Sequence, residues 1–439
     1  MTINALGHLP ASLVARAIGE FGSPLYLYDE QAIRQRCRDV ISMPNAFGLD
    51  VHYAMKANST RAILEVIADE GIGIDASSTN EVRRAHLANV PSSRIMLTSQ
   101  QVPEGQDRSD LETWIAEGLT YNVCSLRQLD LIAELAAKRR LGLSVRVNPG
   151  VGTGESATRN TGDKYSSFGI HHGALEELVA RLQRHSLQVN QVHVHIGSGG
   201  DPKTWCDNID RMLTLLERFF VDATKLNLGG GFKVARMPDE RAADLPSLGS
   251  YAADRFRDFR KRTGRELRMA VEPGTFLVAN AGYLLTTVTD KKSSGPDGFQ
   301  FLVLDAGMES HTRPLLYGAR HPFFVVSREG RLLSSEFDPE IGEFPGKVVV
   351  GRCCETGDCQ TLDAANNVTP RPMADPEIGD HVVIGAVGAY GSSMTLVNYN
   401  SYVRPPEVLL RSDGSLFLIR RRQNFSQLVA DELALDRRH

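Results

Sequence analysis

Between about residue 50 and residue 275 the chain repeats one pattern eight times, a short apolar run followed by a stretch of helical spacing. The apolar runs fall at 51–56, 72–76, 95–99, 120–123, 142–147, 191–196, 225–229 and 267–272. Helical patterns lie between them, as at 126–140 and 174–184. The longest, 205–220, carries Ile209, Met212, Leu215, Leu216 and Phe219 at helical intervals. Strands joined through helices pair in parallel, and eight such units are the number a closed (β/α)8 barrel requires. A doubly wound open sheet is the rival, but it usually has fewer strands and a different glycine fingerprint. The pattern predicts the barrel. After about residue 280 the chain reads as short strands at 283–289, 301–304, 323–326, 347–350, 381–384 and 408–419, with Gly, Pro and Asp between them. This predicts a second, mostly β domain. The segment 24–28 alternates like a strand and is read as part of it. The expected domains are a barrel over 35–280 and a β domain made of 1–34 and 281–439.

A chain of 439 residues has room for both, and 42% hydrophobic with 23% charged residues is ordinary for a globular protein. A net charge of -4 offers no footprint for nucleic acid or an anionic membrane. No apolar run approaches the roughly 18 residues of a membrane span. The segment Met1 to Pro10 lacks the basic and apolar regions of a signal peptide, so the cytoplasm is the expected compartment. Six scattered cysteines (Cys37, Cys124, Cys206, Cys353, Cys354 and Cys359) form neither a disulfide framework nor a zinc spacing, which fits a reducing environment.

In such a barrel, residues at the C-terminal strand ends face the active site. Those positions carry Lys56, Asp75, Ser99, Arg146 with Asn148, His195 with Ser198, Gly229 to Gly231, and Glu272. Most lysines are solvated surface charges. Lys56, at a strand end beside an aromatic and small residues, is instead predicted to be partly desolvated, and a neutral amine is the form that attacks an aldehyde. Three consecutive glycines are often just a turn. After the seventh barrel strand they free backbone N–H groups to approach a phosphate. Glu272, fixed by Pro273 and Gly274, could act as a base, bind a metal or pair with a pyridine nitrogen. His193 and His195 alternate toward the interior. Burial with a hydrogen bond is the bland account, and His195 could stack on a flat cofactor. Outside the barrel, Cys354, Glu355 and Asp358 put a thiol and carboxylates on one loop, although most buried cysteines are packing. A second glycine loop, 388–394, carries Tyr390.

Together these segments resemble the fold type III pyridoxal-phosphate decarboxylases, the alanine racemase-like fold, and within them the diaminopimelate decarboxylase family. The matching motifs are YAMKANS (53–59), IDASS (74–78), RVNPG (146–150), HVHIGSG (193–199), GGGF (229–232), EPG (272–274), LDAGM (304–308), RPLLYGARH (313–321), CCETGD (353–358), GAYGSSM (388–394) and NYNSYVRPPEVL (398–409). The resemblance implies a pyridoxal 5'-phosphate lyase that converts meso-diaminopimelate to L-lysine and carbon dioxide. It implies that Lys56 forms the Schiff base with the cofactor, Glu272 pairs with the ring nitrogen and His195 stacks on the ring. Ser198, Gly230, Gly231 and Tyr390 are implied at the phosphate. Cys354 is implied as the proton donor, Glu355 at the substrate's distal amine, Arg313 with Tyr317 at its distal carboxylate, and Tyr390 at the substrate as well as the phosphate. It also implies a homodimer whose active sites lie at the interface, with the cysteine loop coming from the other subunit.

Two positions depart from the family pattern. Thr275 stands where the motif usually reads Glu-Pro-Gly-Arg, and Ser167 stands before Phe168 where a lysine is usual. Neither residue breaks bonds, so the implied reaction type stands while the implied substrate is weakened. The alternatives are a decarboxylase of another D-configured or modified amino acid in a specialised pathway, an amino-acid racemase, and a non-catalytic relative. A racemase of this fold places an arginine at the pyridine nitrogen, where this chain has Glu272. A non-catalytic relative would lack the lysine or the cysteine.

Overall fold

The computed structural model describes residues 9–152, 162, 165–197, 201–338 and 342–435. The chain divides into two compact units, one of Ile33–Val234 and Arg241–Leu277, the other of Met1–Ala32, Ala235–Glu240 and Val278–His439. The short segment Ala235–Glu240 thus leaves the first unit and returns, a detour that the sequence pattern does not announce.

The first unit is the barrel. Its strands are Leu49–Ala54, Gly73–Ala76, Ile95–Leu97, Thr120–Val123, Gly142–Asn148, Gln188–His193, Lys225–Asn227 and Arg268–Val271. Each pairs in parallel with the next, and the eighth pairs with the first, Met269 opposite Leu49, which closes the ring. The intervening helices bury one stripe each. Arg61–Asp69 puts Ile63, Leu64, Val66 and Ile67 inward, and Pro202–Phe219 does the same with Trp205, Ile209, Met212 and Leu216. Ser78, Ser125, Asp201 and Asp244 cap helix N-termini through their side chains.

The barrel interior is not wholly apolar. Gln191 Nε2 donates to Ser144 Oγ at 2.9 Å, Ser144 Oγ to Asn122 Oδ1 at 2.9 Å, Asn122 Nδ2 to Thr98 Oγ1 at 3.3 Å, and Thr98 Oγ1 to Asp75 Oδ1 at 2.9 Å. Every donor in this ladder points toward Asp75, so each bond polarises the next.

The second unit is a twisted mixed sheet. Its main path runs Leu332–Ser335, Phe323–Val326, His381–Ile384, Gly282–Ser293, Leu25–Asp29, Glu407–Leu410 and Leu416–Arg420. The strand read at 24–28 lies here, antiparallel to Gly282–Ser293 and parallel to Glu407–Leu410. The far half of Gly282–Ser293 leaves the path to pair with Gln300–Leu304, which in turn pairs with Gly346–Val350. The helix Ala11–Phe21 packs Leu13, Val14 and Ala17 on the sheet with Leu25, Leu27, Leu285, Val383 and Val408.

Candidate active site

Glu272 follows the eighth strand and is buried. Its Oε1 accepts Asn227 Nδ2 at 2.7 Å, and His193 Nε2 lies 3.0 Å from its Oε2. Register brings these groups together, since His193 and Asn227 are neighbours on adjacent strands and Asn227 faces Ala270, two residues before Glu272. Burial opposes ionisation of Glu272, but the hydrogen bonds from His193 and Asn227 favour its anion, and its carboxyl lies below the usual range. Burial also pushes His193 and His195 down, so both rings are neutral near pH 7. Glu272 is therefore a buried anion supported by neutral donors, an arrangement that suits a cationic ligand. Asp75, the end of the hydrogen-bond ladder, is pushed well up by burial and by Glu272.

The glycine triplet is packed against these groups. A Cβ on Gly229 would lie 2.6 Å from the Val194 carbonyl oxygen, one on Gly230 2.6 Å from that of Glu272, and one on Gly231 2.8 Å from that of Gly197. Only glycine permits three strand ends to converge so closely. The expectation of freely offered N–H groups needs correction. Gly229 N–H donates to Asn227 Oδ1 at 2.9 Å and Gly230 N–H to His195 Nδ1 at 3.2 Å. The second bond makes Nδ1 the acceptor and fixes the His195 ring. Ser198 lies outside the described residues.

Lys56 occupies a 3-10 turn, Met55–Ala57, directly after the first strand. The turn is pinned by Tyr53, whose hydroxyl donates to Asn58 O at 3.0 Å. Lys56 itself is exposed, whereas the sequence predicted partial desolvation. The turn carries the side chain past the apolar strand that suggested it. Its charge still acts on Asp75, Glu81 and His195.

In the second unit, Arg313 opens the helix Arg313–Tyr317 and is 8% exposed. The Tyr317 and Tyr390 rings flank its guanidinium at 5.6 and 5.7 Å. Tyr390 holds a φ of +55°, left-handed and strained for a tyrosine, which marks the 388–394 loop as tightly determined. In the cysteine loop the two thiols differ. Cys353 is half-buried, with Sγ 3.3 Å from Glu309 Oε2, and burial together with Glu309 and Asp358 pushes its thiol far up. Cys354 is exposed, its backbone N–H held by Asn400 Oδ1 at 2.7 Å. Glu355 is exposed, and bonds from Gly357, Thr356 and Tyr399 lower its carboxyl below the usual range. Asp358 does not face solvent with them. Its oxygens accept Met308 N–H at 2.6 Å and Cys353 N–H at 2.7 Å, so it latches the loop.

Sequence reasoning missed Asn227 as a partner of Glu272, and weighed His193 as a buried histidine or, with His195, as a zinc ligand lacking a third partner. An asparagine between Leu226 and Leu228 was the available signal, since a buried amide must find partners.

A pyridine-type cofactor fits the barrel set on the structure's own terms. The carboxylate that would face a ring nitrogen is buried and accepts from Asn227 and His193, and the His195 ring is held by Gly230 N–H. Residues 31–279 match the family described as pyridoxal-dependent decarboxylase, pyridoxal binding domain. The chain is 34% identical to the diaminopimelate decarboxylase of Streptomyces coelicolor, over 97% of this chain and 93% of the relative. It superposes on a crystal structure of diaminopimelate decarboxylase with a TM-score of 0.85 and 31% identity, covering 96% of each chain. It superposes on the Helicobacter pylori diaminopimelate decarboxylase complexed with L-lysine with a TM-score of 0.79 and 26% identity, over 94% of this chain and 98% of that one. The barrel and the buried carboxylate, together with these matches, define a pyridoxal-phosphate lyase of fold type III. The chain belongs to the pyridoxal-dependent decarboxylases and, within them, to the diaminopimelate decarboxylase family. Among the described residues no helix is long and apolar enough to cross a membrane.

Proposed function

We propose that this protein decarboxylates meso-diaminopimelate to L-lysine. The observation that carries the reaction class is Glu272, a buried carboxylate kept ionised by Asn227 and His193. Pyridoxal phosphate, when bound, supplies an electron sink for the pair left behind by departing carbon dioxide. Glu272 would keep the ring nitrogen protonated, which is what makes the sink strong. Lys56 would be the covalent anchor that a substrate amine displaces. His195 would lie against the ring, and Ser198, Gly231 and Tyr390 would hold the phosphate, with Gly230, its N–H given to His195, beside them. Cys354 would deliver a proton to the carbon that has lost its carboxylate, a role that its exposure supports. Arg313 and Tyr317 would receive the distal carboxylate and Glu355 the distal amine. The relatives' names support the choice of substrate.

The working form in this reading is a cytoplasmic homodimer in which the barrel residues of one subunit act with the cysteine loop of the other. Six free thiols support a reducing compartment. The test of the substrate is a competition among meso-diaminopimelate, D-lysine and D-ornithine, with diaminopimelate expected to be consumed first. Preference for either other amino acid would replace the substrate while leaving the reaction. The test of the shared site mixes Lys56→Ala and Cys354→Ala subunits, each inactive alone. Recovered activity on proven exchange supports sharing, and none places both residues in one subunit's site.

A further inference from the structure

We propose that His321 is a positioning residue for substrate selection, orienting the Arg313 guanidinium to receive a distal carboxylate. The inference rests on the reading of Arg313 given above. His321 ends the run 313–321 that begins with Arg313, and Gly318, at a φ of +56°, turns the chain between them. It is 1% exposed. Its Nδ1 lies 3.0 Å from the Gly385 carbonyl oxygen, which can only accept, so Nδ1 carries the proton. Nε2 is therefore the acceptor, and Arg313 Nε donates to it at 3.4 Å.

The neighbours lock that ring. His311 packs edge-on against it, with centroids 4.3 Å apart and planes at 88°. His311 in turn is clasped by Gln360: its Nδ1 is 2.9 Å from Gln360 Oε1, and Gln360 Nε2 donates back to the His311 carbonyl oxygen at 3.2 Å. Burial pushes both imidazoles far down, which keeps them neutral.

Neutrality is the physical point. An aspartate or glutamate in this place would orient the guanidinium equally well, but its charge would cancel the one that a carboxylate ligand must feel. A neutral imidazole fixes the plane of the guanidinium and leaves its charge for the ligand. His321 cannot serve as an acid or base here, because its one proton is committed to Gly385 and the ring is buried.

The experiment uses the holoenzyme and two ligands, L-lysine and cadaverine, which differ only by the distal carboxylate. Calorimetry compares wild type, His321→Leu, His321→Asn, His321→Gln and Arg313→Met. His321→Asn keeps a donor for Gly385 but is too short to accept from Arg313, so it decides the matter if His321→Leu does not fold. The expected result is a loss of roughly tenfold in L-lysine affinity for the Leu and Asn variants, with cadaverine unchanged and most of the loss recovered by His321→Gln. Equal effects on both ligands, or none, would overturn the proposal. The two levels of the argument separate through Arg313→Met. If that variant keeps the wild-type preference for L-lysine, the reading of Arg313 is wrong. If it loses the preference while the His321 variants keep it, only the role of His321 fails.

Discussion

Replacing Glu272 by glutamine separates what this residue does for the fold from what it does for the reaction. Glutamine has the same shape, and its carbonyl can still accept Asn227 Nδ2. Its amide nitrogen then faces His193 Nε2, a donor against a donor. His193 can relieve this by moving its proton to Nδ1, which has no partner among the described residues. One buried donor left unpaired costs about 1–3 kcal/mol. The removal of a buried charge beside Asp75 works in the opposite direction, because Glu272 helps to push the Asp75 carboxyl up. The net change in stability of the cofactor-free protein should stay within about 2 kcal/mol. The reaction has no such offset. An amide cannot hold the ring nitrogen protonated, and losing a group aimed at charge developing in the transition state costs about 10²–10³ in kcat. Denaturant unfolding of the apoprotein, cofactor titration by absorbance and carbon dioxide release from the holoenzyme measure the three quantities. A variant whose kcat stays within about threefold of wild type would refute the argument, because Glu272 would then be a structural anion.

Cys354→Ala should slow turnover by roughly 10²–10⁴ with cofactor still bound, while Cys353→Ala should be mild in kcat; the reverse ranking, measured by carbon dioxide release, would identify the other sulfur as the donor. Thr275→Arg should raise kcat/KM selectively for meso-diaminopimelate over D-lysine and D-ornithine, because a charge-assisted bond is about twice as strong as a neutral one; efficient wild-type turnover with no gain in the variant would show that Thr275 carries no substrate information. Burial pushes His311 down to about 3. The unfolded chain takes up a proton near pH 6.5 that the folded chain refuses, so stability is full above that pH and falls by about 1.4 kcal/mol per unit below it for each such imidazole. Between pH 7 and pH 5.5, denaturant titrations should show wild type losing about 1.3 kcal/mol more stability than His311→Gln, and an equal loss would show that this ring is not buried neutral.

The barrel is legible because each of its strands is short and followed or preceded by a helix long enough to show its period. The limits lie where an apolar run and a hydrogen-bonded strand part company. The apolar pattern predicts the sixth strand at 191–196, yet it spans Gln188–His193, since its first residues alternate polar with apolar. The run 408–419, which the pattern predicts as one strand, is two, Glu407–Leu410 and Leu416–Arg420, folded about Gly414 at a φ of +83°. The helix Ala11–Phe21 is absent from the sequence reading although its apolar residues Leu13, Val14 and Ala17 fall on one face. Residue type alone singles out Lys56, Glu272 and the glycines, and the structure packs the glycines against Glu272 and His195. What sequence could not supply was register. Only the pairing of His193 with Asn227, and of Asn227 with Ala270, shows that two polar side chains converge on one carboxylate. The latch made by Asp358 was hidden for the same reason, since Met308 lies fifty residues away from it.

The account stands most directly on one reaction followed by NMR in deuterated water, with the holoenzyme and meso-diaminopimelate carrying labelled carboxyl carbons. It predicts one carbon dioxide for each L-lysine formed, and one deuterium on the carbon that lost the carboxylate. Diaminopimelate that gains deuterium without releasing carbon dioxide would contradict it, because that outcome belongs to a racemase.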